Sequence, residues 1–302
     1  MPVYDGGRFF LEAVRSILEQ SHADFELVLV EDGSTDGSAA VAADLVRQDP
    51  RVRVVRSARQ GVARALNAGL AACRAPIVAR MDADDVALPR RLEIQLAHLE
   101  AHPDCVVVGG QVDLIDEEGD PLGWIFNPLD HASILAGLRR SAGAIVHPTA
   151  VFRAAEVRAL GGYQVGCLAE DVDLFLRLAA RGRLANVPDH AVHYRKREGS
   201  VTAGWSAAAV NAERRRRAAA FAVPGAPPVR PFRWNPEPCG EALEIARLGL
   251  AIHAGFDATA RKYLRRLLRT RGTSPLLWLR IASRVARSLG WRLLAPPRTP
   301  VP

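Results

Sequence analysis

From Phe9 to Gly109 the chain switches repeatedly between helical and extended periodicity, and that alternation leaves few architectures open. Phe10, Val14, Ile17 and Leu18 fall on one face of a helix over Phe9 to Gln20, whereas Phe25-Glu-Leu-Val-Leu-Val30 reads as a buried strand. Asp32-Gly-Ser-Thr-Asp36 then supplies turn and N-cap chemistry for a helix to about Gln48. A short strand over Val52 to Val55, a helix over Gly61 to Cys73 and a strand over Pro76 to Ala79 follow. Pro89 opens a helix ending near His102, and Cys105 to Gly109 is a further strand. Strands that alternate with helices predict an α/β fold with a mostly parallel central sheet covered on both faces.

In open α/β sheets, ligands bind at the loops beyond the carboxyl ends of the strands. Two carboxylate-rich segments fall there: Glu31-Asp32-Gly33-Ser34 after one strand, and Asp82-Ala-Asp84-Asp85 after another. Farther along, Glu170-Asp171-Val-Asp173 opens Leu174-Phe-Leu-Arg-Leu178, whose apolar spacing continues as a helix.

The length of 302 residues with 49% hydrophobic side chains is enough for one large core or two modest ones. Cys73, Cys105, Cys167 and Cys239 are far apart and form no Cys/His group at ligand spacing, so the sequence indicates neither a disulfide framework nor a zinc site. No basic segment followed by an apolar stretch opens the chain, and nowhere do eighteen apolar residues run together. The expected location is cytoplasmic.

The net charge of +7 hides an uneven distribution. Residues 1–204 hold 22 Lys/Arg against 28 Asp/Glu, and residues 205–302 hold 18 against 5, so the first part carries −6 and the tail +13. An acidic front domain binds a phosphate backbone poorly, and zinc-finger spacing, a basic region with heptads and an aromatic RNA-binding motif are all missing. Nucleic acid is therefore not an expected partner. Six prolines lie between Pro224 and Gly240, behind the run Arg214 to Arg217. The reading is a catalytic domain over 1–204, a basic, Pro-rich linker over 205–240, and a helical basic tail over 241–302.

Hard divalent cations prefer oxygen ligands and share one or two carboxylates with substrate phosphates, which suits Asp82 and Asp84 if the loop tip turns so that both converge. Taken alone, the same D-x-D also reads as a solvated acidic loop capping the Pro89 helix. The Glu170-Asp171 pair admits a general base that takes the proton of an attacking hydroxyl, or equally a first helical turn whose acids suit the dipole.

The order of these segments carries a resemblance. Pro2-Val-Tyr4, Phe25 to Gly37, Gly61-Val-Ala-Arg-Ala-Leu-Asn-Ala-Gly69, Ala79-Arg-Met-Asp-Ala-Asp-Asp85, His147-Pro148 and Glu170 to Leu178 closely resemble family-2 glycosyltransferases with the GT-A fold, over roughly residues 1–204. The resemblance implies an inverting enzyme that moves a sugar from a nucleoside-diphosphate sugar, taken as UDP-linked, to a hydroxyl acceptor on a glycan or lipid-linked carrier. Mn²⁺ or Mg²⁺ is the implied cofactor and cell-envelope polysaccharide synthesis the implied setting. In that reading Tyr4 stacks on the nucleotide base with the Pro2 and Val3 backbone beside it, and Asp32 hydrogen-bonds the base. Arg64 lies near base or phosphates, Asp82 meets ribose or metal, and Asp84 is the principal metal ligand, with Asp85 a third acid. Asp171 is the catalytic base, Glu170 its neighbour, and His147 lines the acceptor side. Singly, Tyr4, Arg64 and His147 read as a half-buried aromatic, a helix-surface cation and a core histidine.

Two departures stand out. Relatives carry a complete apolar strand before Pro-Val-Tyr, so a truncated first strand is expected here, with a looser base pocket at Tyr4. Relatives also carry Tyr-Arg-x-His where this chain has Tyr194-Arg-Lys-Arg197; an arginine cannot ligate a cation but can neutralise phosphate, and His193 sits on the other face. In the tail, Arg280, Arg284 and Arg287 share one helical stripe and Leu277, Ile281, Val285 and Leu289 another, with Trp278 and Trp291 near the ends. That pattern fits an interfacial helix resting on anionic lipid, or a helix packed on protein with a solvated arginine face. Two other functions compete: nucleotide-sugar binding without turnover, and sugar nucleotidyl transfer, for which Gly6-Gly7-Arg8 is a poor phosphate loop.

Overall fold

The computed structural model describes residues 1–140, 144–198, 205–221, 240–271 and 281–282. Its residues group into two compact units. The first holds the described residues within Met1–Val112, Phe126–Tyr194 and Ala208–Phe232, and the second those within Asp113–Ile125, Arg195–Ala207 and Arg233–Pro302.

In the first unit the strands are β1 (Pro2–Val3), β2 (Leu27–Glu31), β3 (Val52–Arg56), β4 (Ile77–Ala79), β5 (Val86–Ala87), β6 (Cys105–Ile115, ending in the second unit), β8 (Val151–Arg153) and β9 (Arg183–Arg195), with β7 (Pro121–Ile125) in the second unit. The helices are α1 (Phe10–Leu18), α2 (Ser38–Gln48), α3 (Val62–Ala72), α4 (Arg91–Ala101), α5 (His131–Arg139), α6 (Ala154–Ala159), α7 (Glu170–Leu178) and α8 (Ala207–Ala220). The second unit adds α9 (Gly240–Ala254) and α10 (Asp257–Arg271).

The apolar run of β2 is buried on both faces because its period of two feeds two cores. Leu27 and Leu29 pack with Phe10, Val14 and Ile17 of α1 and with Ala42 and Leu45 of α2, whereas Val28 and Val30 pack with Ala65 of α3. The three-stranded sheet β1-β2-β3 is parallel, as the alternation of elements predicts. The second sheet runs β4-β8-β6-β9-β5, and β8 meets β4 and β6 antiparallel, as β5 meets β9. Antiparallel pairing arises here between strands remote in sequence, a register that local periodicity does not contain.

The first strand has two residues, Pro2 opposite Val30 and Val3 opposite Glu31. Met1 extends the ladder by donating its amino group to the Val28 carbonyl at 2.9 Å and accepting from Val30 N–H at 2.9 Å. Residues of β2 and β4 line a cavity of about 1030 Å³, together with Leu66, Leu70 and Leu99.

Residues 205–221 fall within the expected linker, yet Ala207–Ala220 is helical and belongs to the first unit from Ala208. Its sequence has no apolar stripe to signal a helix; ion pairs attach it instead. In the second unit the turn Asp116-Glu-Glu-Gly-Asp120 sits under the tail helices: Lys262 pairs with Asp116, Glu118 and Asp120, Arg266 with Glu118 at 3.2 Å, and Arg247 with Glu117 at 3.1 Å. Part of the tail's positive charge is thereby neutralised within the protein. The Arg/Leu stripes expected over 276–291 lie outside the described residues apart from Ile281 and Ala282.

Candidate active site

Two loop systems of the first unit carry the predicted residues. At the end of β2, Asp32 is buried, and its two carboxylate oxygens accept the N–H groups of Gln60 and Gly61, each at 2.9 Å. The carboxylate therefore ties the strand end to the start of α3, whose first turn presents Arg64 to solvent. Gly33 adopts φ +80°, and a Cβ there would lie 3.0 Å from the Arg59 backbone nitrogen, so only glycine lets the two loops approach. The Arg59 guanidinium lies 4.4 Å over the ring of Tyr4, which is 38% exposed. Pro2 and Val3 stand next to Tyr4 in β1, and the loop beyond is laced to the Asp32 turn by Asp5 N–H to Ser34 Oγ at 3.1 Å and Thr35 N–H to Asp5 Oδ1 at 2.7 Å.

The second system follows β4. Oxygens of Asp82, Asp84 and Asp85 lie within 4.8 Å of one another, a set of hard donors that could hold Mn²⁺ or Mg²⁺. The loop is held from below: on α4, buried Arg91 donates to the Arg80 carbonyl at 2.7 Å, and Gln95 donates to the Thr149 carbonyl at 2.8 Å. One helix thus fixes both the acidic loop and the turn that carries His147. Across the second sheet, β9 places His193 opposite Val86, the residue after Asp85.

Sequence reasoning assigned no role to Arg80, yet its buried guanidinium is paired with the acidic loop. Its side chain is 6% exposed and forms an ion pair with Asp82. Its field also acts on Tyr163, Asp85, His147, Glu170 and Asp171. A basic residue two positions before the D-x-D was the one available signal, and it has no distinctive spacing.

Buried His147 lies 3.0 Å from the Tyr163 hydroxyl through Nε2 and 4.0 Å from Glu170 Oε1 through Nδ1. Tyr163 is positioned by Asn67 of α3, which accepts the Tyr163 N–H at 2.7 Å and donates to its carbonyl at 2.9 Å. Gly162, at φ +78°, has no room for a Cβ, which would lie 2.3 Å from Asn67 Oδ1. Burial holds the imidazole well below its usual range and so neutral. Burial, reinforced by Asp171, pushes Glu170 up to about 7, and burial also raises Asp171. Ala169, immediately before this pair, has φ +54°, a strained left-handed conformation for a residue with a Cβ. Asp82, Asp85, His147 and the Glu170-Asp171 pair thus share the electrostatic field of one buried guanidinium, while Tyr4, Asp32 and Arg64 belong to the loops around the end of β2 and the start of α3.

A family model described as "Glycosyl transferase family 2" matches residues 1–158. The amylovoran biosynthesis glycosyltransferase AmsE of Erwinia amylovora is 36% identical over 200 residues, covering 65% of this chain and 74% of the relative. Among solved structures, S. aureus TarS 1–349 in complex with UDP-GlcNAc aligns with TM-score 0.57 at 19% identity, over 98% of this chain and 80% of that one. The mannosyltransferase PcManGT of Pyrobaculum calidifontis, in complex with GDP-Man and Mn²⁺, aligns with TM-score 0.50 at 19% identity, over 96% of this chain and 73% of the other. These two likenesses show the fold.

Proposed function

We infer that this chain, which belongs to glycosyl transferase family 2, moves a sugar from a nucleoside-diphosphate sugar to a hydroxyl acceptor in one displacement with inversion. The supporting observation is the arrangement around Arg80, where Asp82, Asp85 and the acids opening α7 share one buried cation. In this reading Tyr4 stacks on the base, Asp32 and Arg64 complete the nucleotide pocket, and the glycosyl group lies between the two acidic systems. Asp171 accepts the acceptor's proton as its oxygen attacks the anomeric carbon, and Glu170 and His147 shape the acceptor side. General-base assistance of this kind contributes roughly 10²–10⁴-fold.

Asp84, with Asp82 and Asp85, would hold Mn²⁺ or Mg²⁺, whose positive charge, when bound, stabilises the departing diphosphate. The all-carboxylate donor set fits such an ion, and the Arg80 contact keeps Asp82 oriented in the meantime.

The acceptor is a glycan or lipid-linked saccharide of envelope polysaccharide synthesis, in keeping with the amylovoran enzyme. No helix of the described residues is long and apolar enough to cross a membrane, so contact with a lipid-linked acceptor is taken to be peripheral, through the basic tail. The experiment is a transfer assay with UDP-glucose, UDP-galactose and UDP-N-acetylglucosamine, with and without Mn²⁺, followed by NMR of the product linkage. Ion-dependent UDP release and an inverted anomeric centre are expected; a retained centre contradicts the single displacement, and donor binding without turnover favours a binding protein.

A further inference from the structure

The turn Gly161-Gly162-Tyr163 is held from two helices at once. On α3, Asn67 accepts the Tyr163 N–H through Oδ1 at 2.7 Å and donates from Nδ2 to the Tyr163 carbonyl at 2.9 Å. On α7, Arg177 donates to the Gly162 carbonyl at 2.8 Å and to the Leu160 carbonyl at 3.1 Å, while its Nε is paired with Asp173 at 2.8 Å. Both glycines have positive φ, +76° and +78°, and a Cβ at Gly162 would lie 2.3 Å from Asn67 Oδ1. These bonds fix where the Tyr163 side chain starts, and it ends in the core, 3% exposed.

There the phenol meets His147. The Tyr163 hydroxyl lies 3.0 Å from His147 Nε2, with ring centroids 5.5 Å apart, and Phe175 of α7 makes a T-shaped contact with the imidazole at 6.1 Å. The turn that carries His147 is itself fixed, because Ala150 N–H donates to the His147 carbonyl at 3.0 Å and Gln95 of α4 donates to the Thr149 carbonyl at 2.8 Å. On the other side of the ring, Nδ1 faces Glu170 Oε1 at 4.0 Å.

Burial keeps this imidazole neutral, so one ring nitrogen carries a proton and the other a lone pair. Among the described residues, His147 Nε2 is the hydrogen-bond partner of the Tyr163 hydroxyl. A proton on Nε2 would leave the buried phenol O–H without an acceptor and would set the Nδ1 lone pair against the Glu170 oxygen, and both are costly. With the phenol donating to Nε2, both costs vanish: Nδ1 carries the proton and turns the positive end of an N–H dipole toward Glu170. The gap of 4.0 Å is too long for a hydrogen bond, so the imidazole acts on Glu170 through its direction and field.

We propose that Tyr163 is a positioning residue for glycosyl transfer: its hydroxyl donates to His147 Nε2, fixes the imidazole as the Nδ1–H tautomer and so orients the Glu170 carboxylate on the acceptor side. The proposal rests on the reading of this site as that of a glycosyltransferase. Tyr163 acts through His147 and not on the donor, so its loss belongs in turnover and not in donor affinity.

The test compares the full chain with Tyr163→Phe, which removes one oxygen and keeps the ring. Long-range ¹H–¹⁵N NMR of the metal-free protein at pH 8, where Glu170 is ionised, reads the tautomer of His147, assigned through its proximity to the Tyr163 and Phe175 rings. The wild type is expected to show a protonated Nδ1 and a bare Nε2, and Tyr163→Phe a mixture of tautomers. A protonated Nε2 in the wild type, which needs no variant to observe, or an unchanged tautomer in Tyr163→Phe overturns the proposal. UDP release is then followed with Mn²⁺, octyl β-D-glucopyranoside as the acceptor probe, and whichever of UDP-glucose, UDP-galactose and UDP-N-acetylglucosamine the wild type turns over. Tyr163→Phe is expected to lower kcat on the order of fivefold with donor KM unchanged. His147→Leu removes the group through which Tyr163 acts, so adding Tyr163→Phe to it is expected to cause no further loss. An unchanged kcat in Tyr163→Phe, or an equal loss in the His147→Leu background, overturns the positioning role. No UDP release by the wild type defeats the reading of the chain as a UDP-sugar transferase, and the positioning role with it, an outcome distinct from a wrong tautomer in an active enzyme.

Discussion

Glu170 Oε1 lies 4.0 Å from His147 Nδ1, and burial stops the two from forming a charged pair at neutral pH. The imidazole stays neutral, and the carboxyl group rises from its ordinary 4.5 to about 7. The folded state therefore holds the Glu170 proton more tightly than the unfolded chain does. The favourable contribution is complete below about 4.5 and lost as pH rises through about 7.

Glu170→Gln removes that penalty. In metal-free urea unfolding at pH 8 the variant is expected to exceed the wild type by on the order of 2–3 kcal/mol, with the difference vanishing toward pH 4.5. A difference independent of pH contradicts the burial argument.

Asp82 and Asp84 differ in what holds them. Asp82 compensates buried Arg80, so Asp82→Asn should cost roughly 1–3 kcal/mol of stability as well as activity. Asp84→Asn should weaken Mn²⁺-dependent donor binding at least about tenfold by calorimetry. Unchanged donor binding in Asp84→Asn argues against its role as principal ligand.

The left-handed conformation of Ala169 is a local cost beside the proposed base. Ala169→Gly is expected to stabilise the fold by about 0.5–1 kcal/mol in denaturant unfolding. A loss of stability shows instead that the surrounding packing requires the methyl group.

The cavity bordered by β2 and β4 is lined by aliphatic side chains such as Leu27, Val28, Leu70 and Ile77, with Glu26, Arg74, Arg80 and Glu100 also on its wall. A five-residue Val/Ile-rich segment added ahead of Met1 is expected to raise the melting temperature by several degrees, since each buried aliphatic side chain contributes about 1.5–3 kcal/mol before entropy is counted. An unchanged melting temperature means the slot does not accept a strand.

The legible part of this protein is the part whose physics is local. The run at β2 declares itself because both faces are buried, and the helices before and after it because their apolar residues repeat at helical spacing. Asp84, Asp171 and His147 were legible through the order of motifs rather than through any one of them. Arg80, Arg91 and Arg217 were not, because a buried arginine has no periodic signature and is recognised only by the anions and carbonyls that folding brings to it. The same holds for α8, a helix with four arginines and no apolar stripe, attached by an ion-pair clamp to a residue 43 positions away. The antiparallel pairing of β8 was equally hidden, since it joins β4 and β6 from remote parts of the chain.

The proposed displacement depends most on Asp171 as the proton acceptor, and Asp171→Asn tests it directly. Calorimetry with Mn²⁺ and the active nucleotide sugar should give wild-type donor affinity, and the rate of sugar transfer should fall by about 10²–10⁴-fold. Transfer within about tenfold of the wild-type rate, with donor affinity intact, contradicts it.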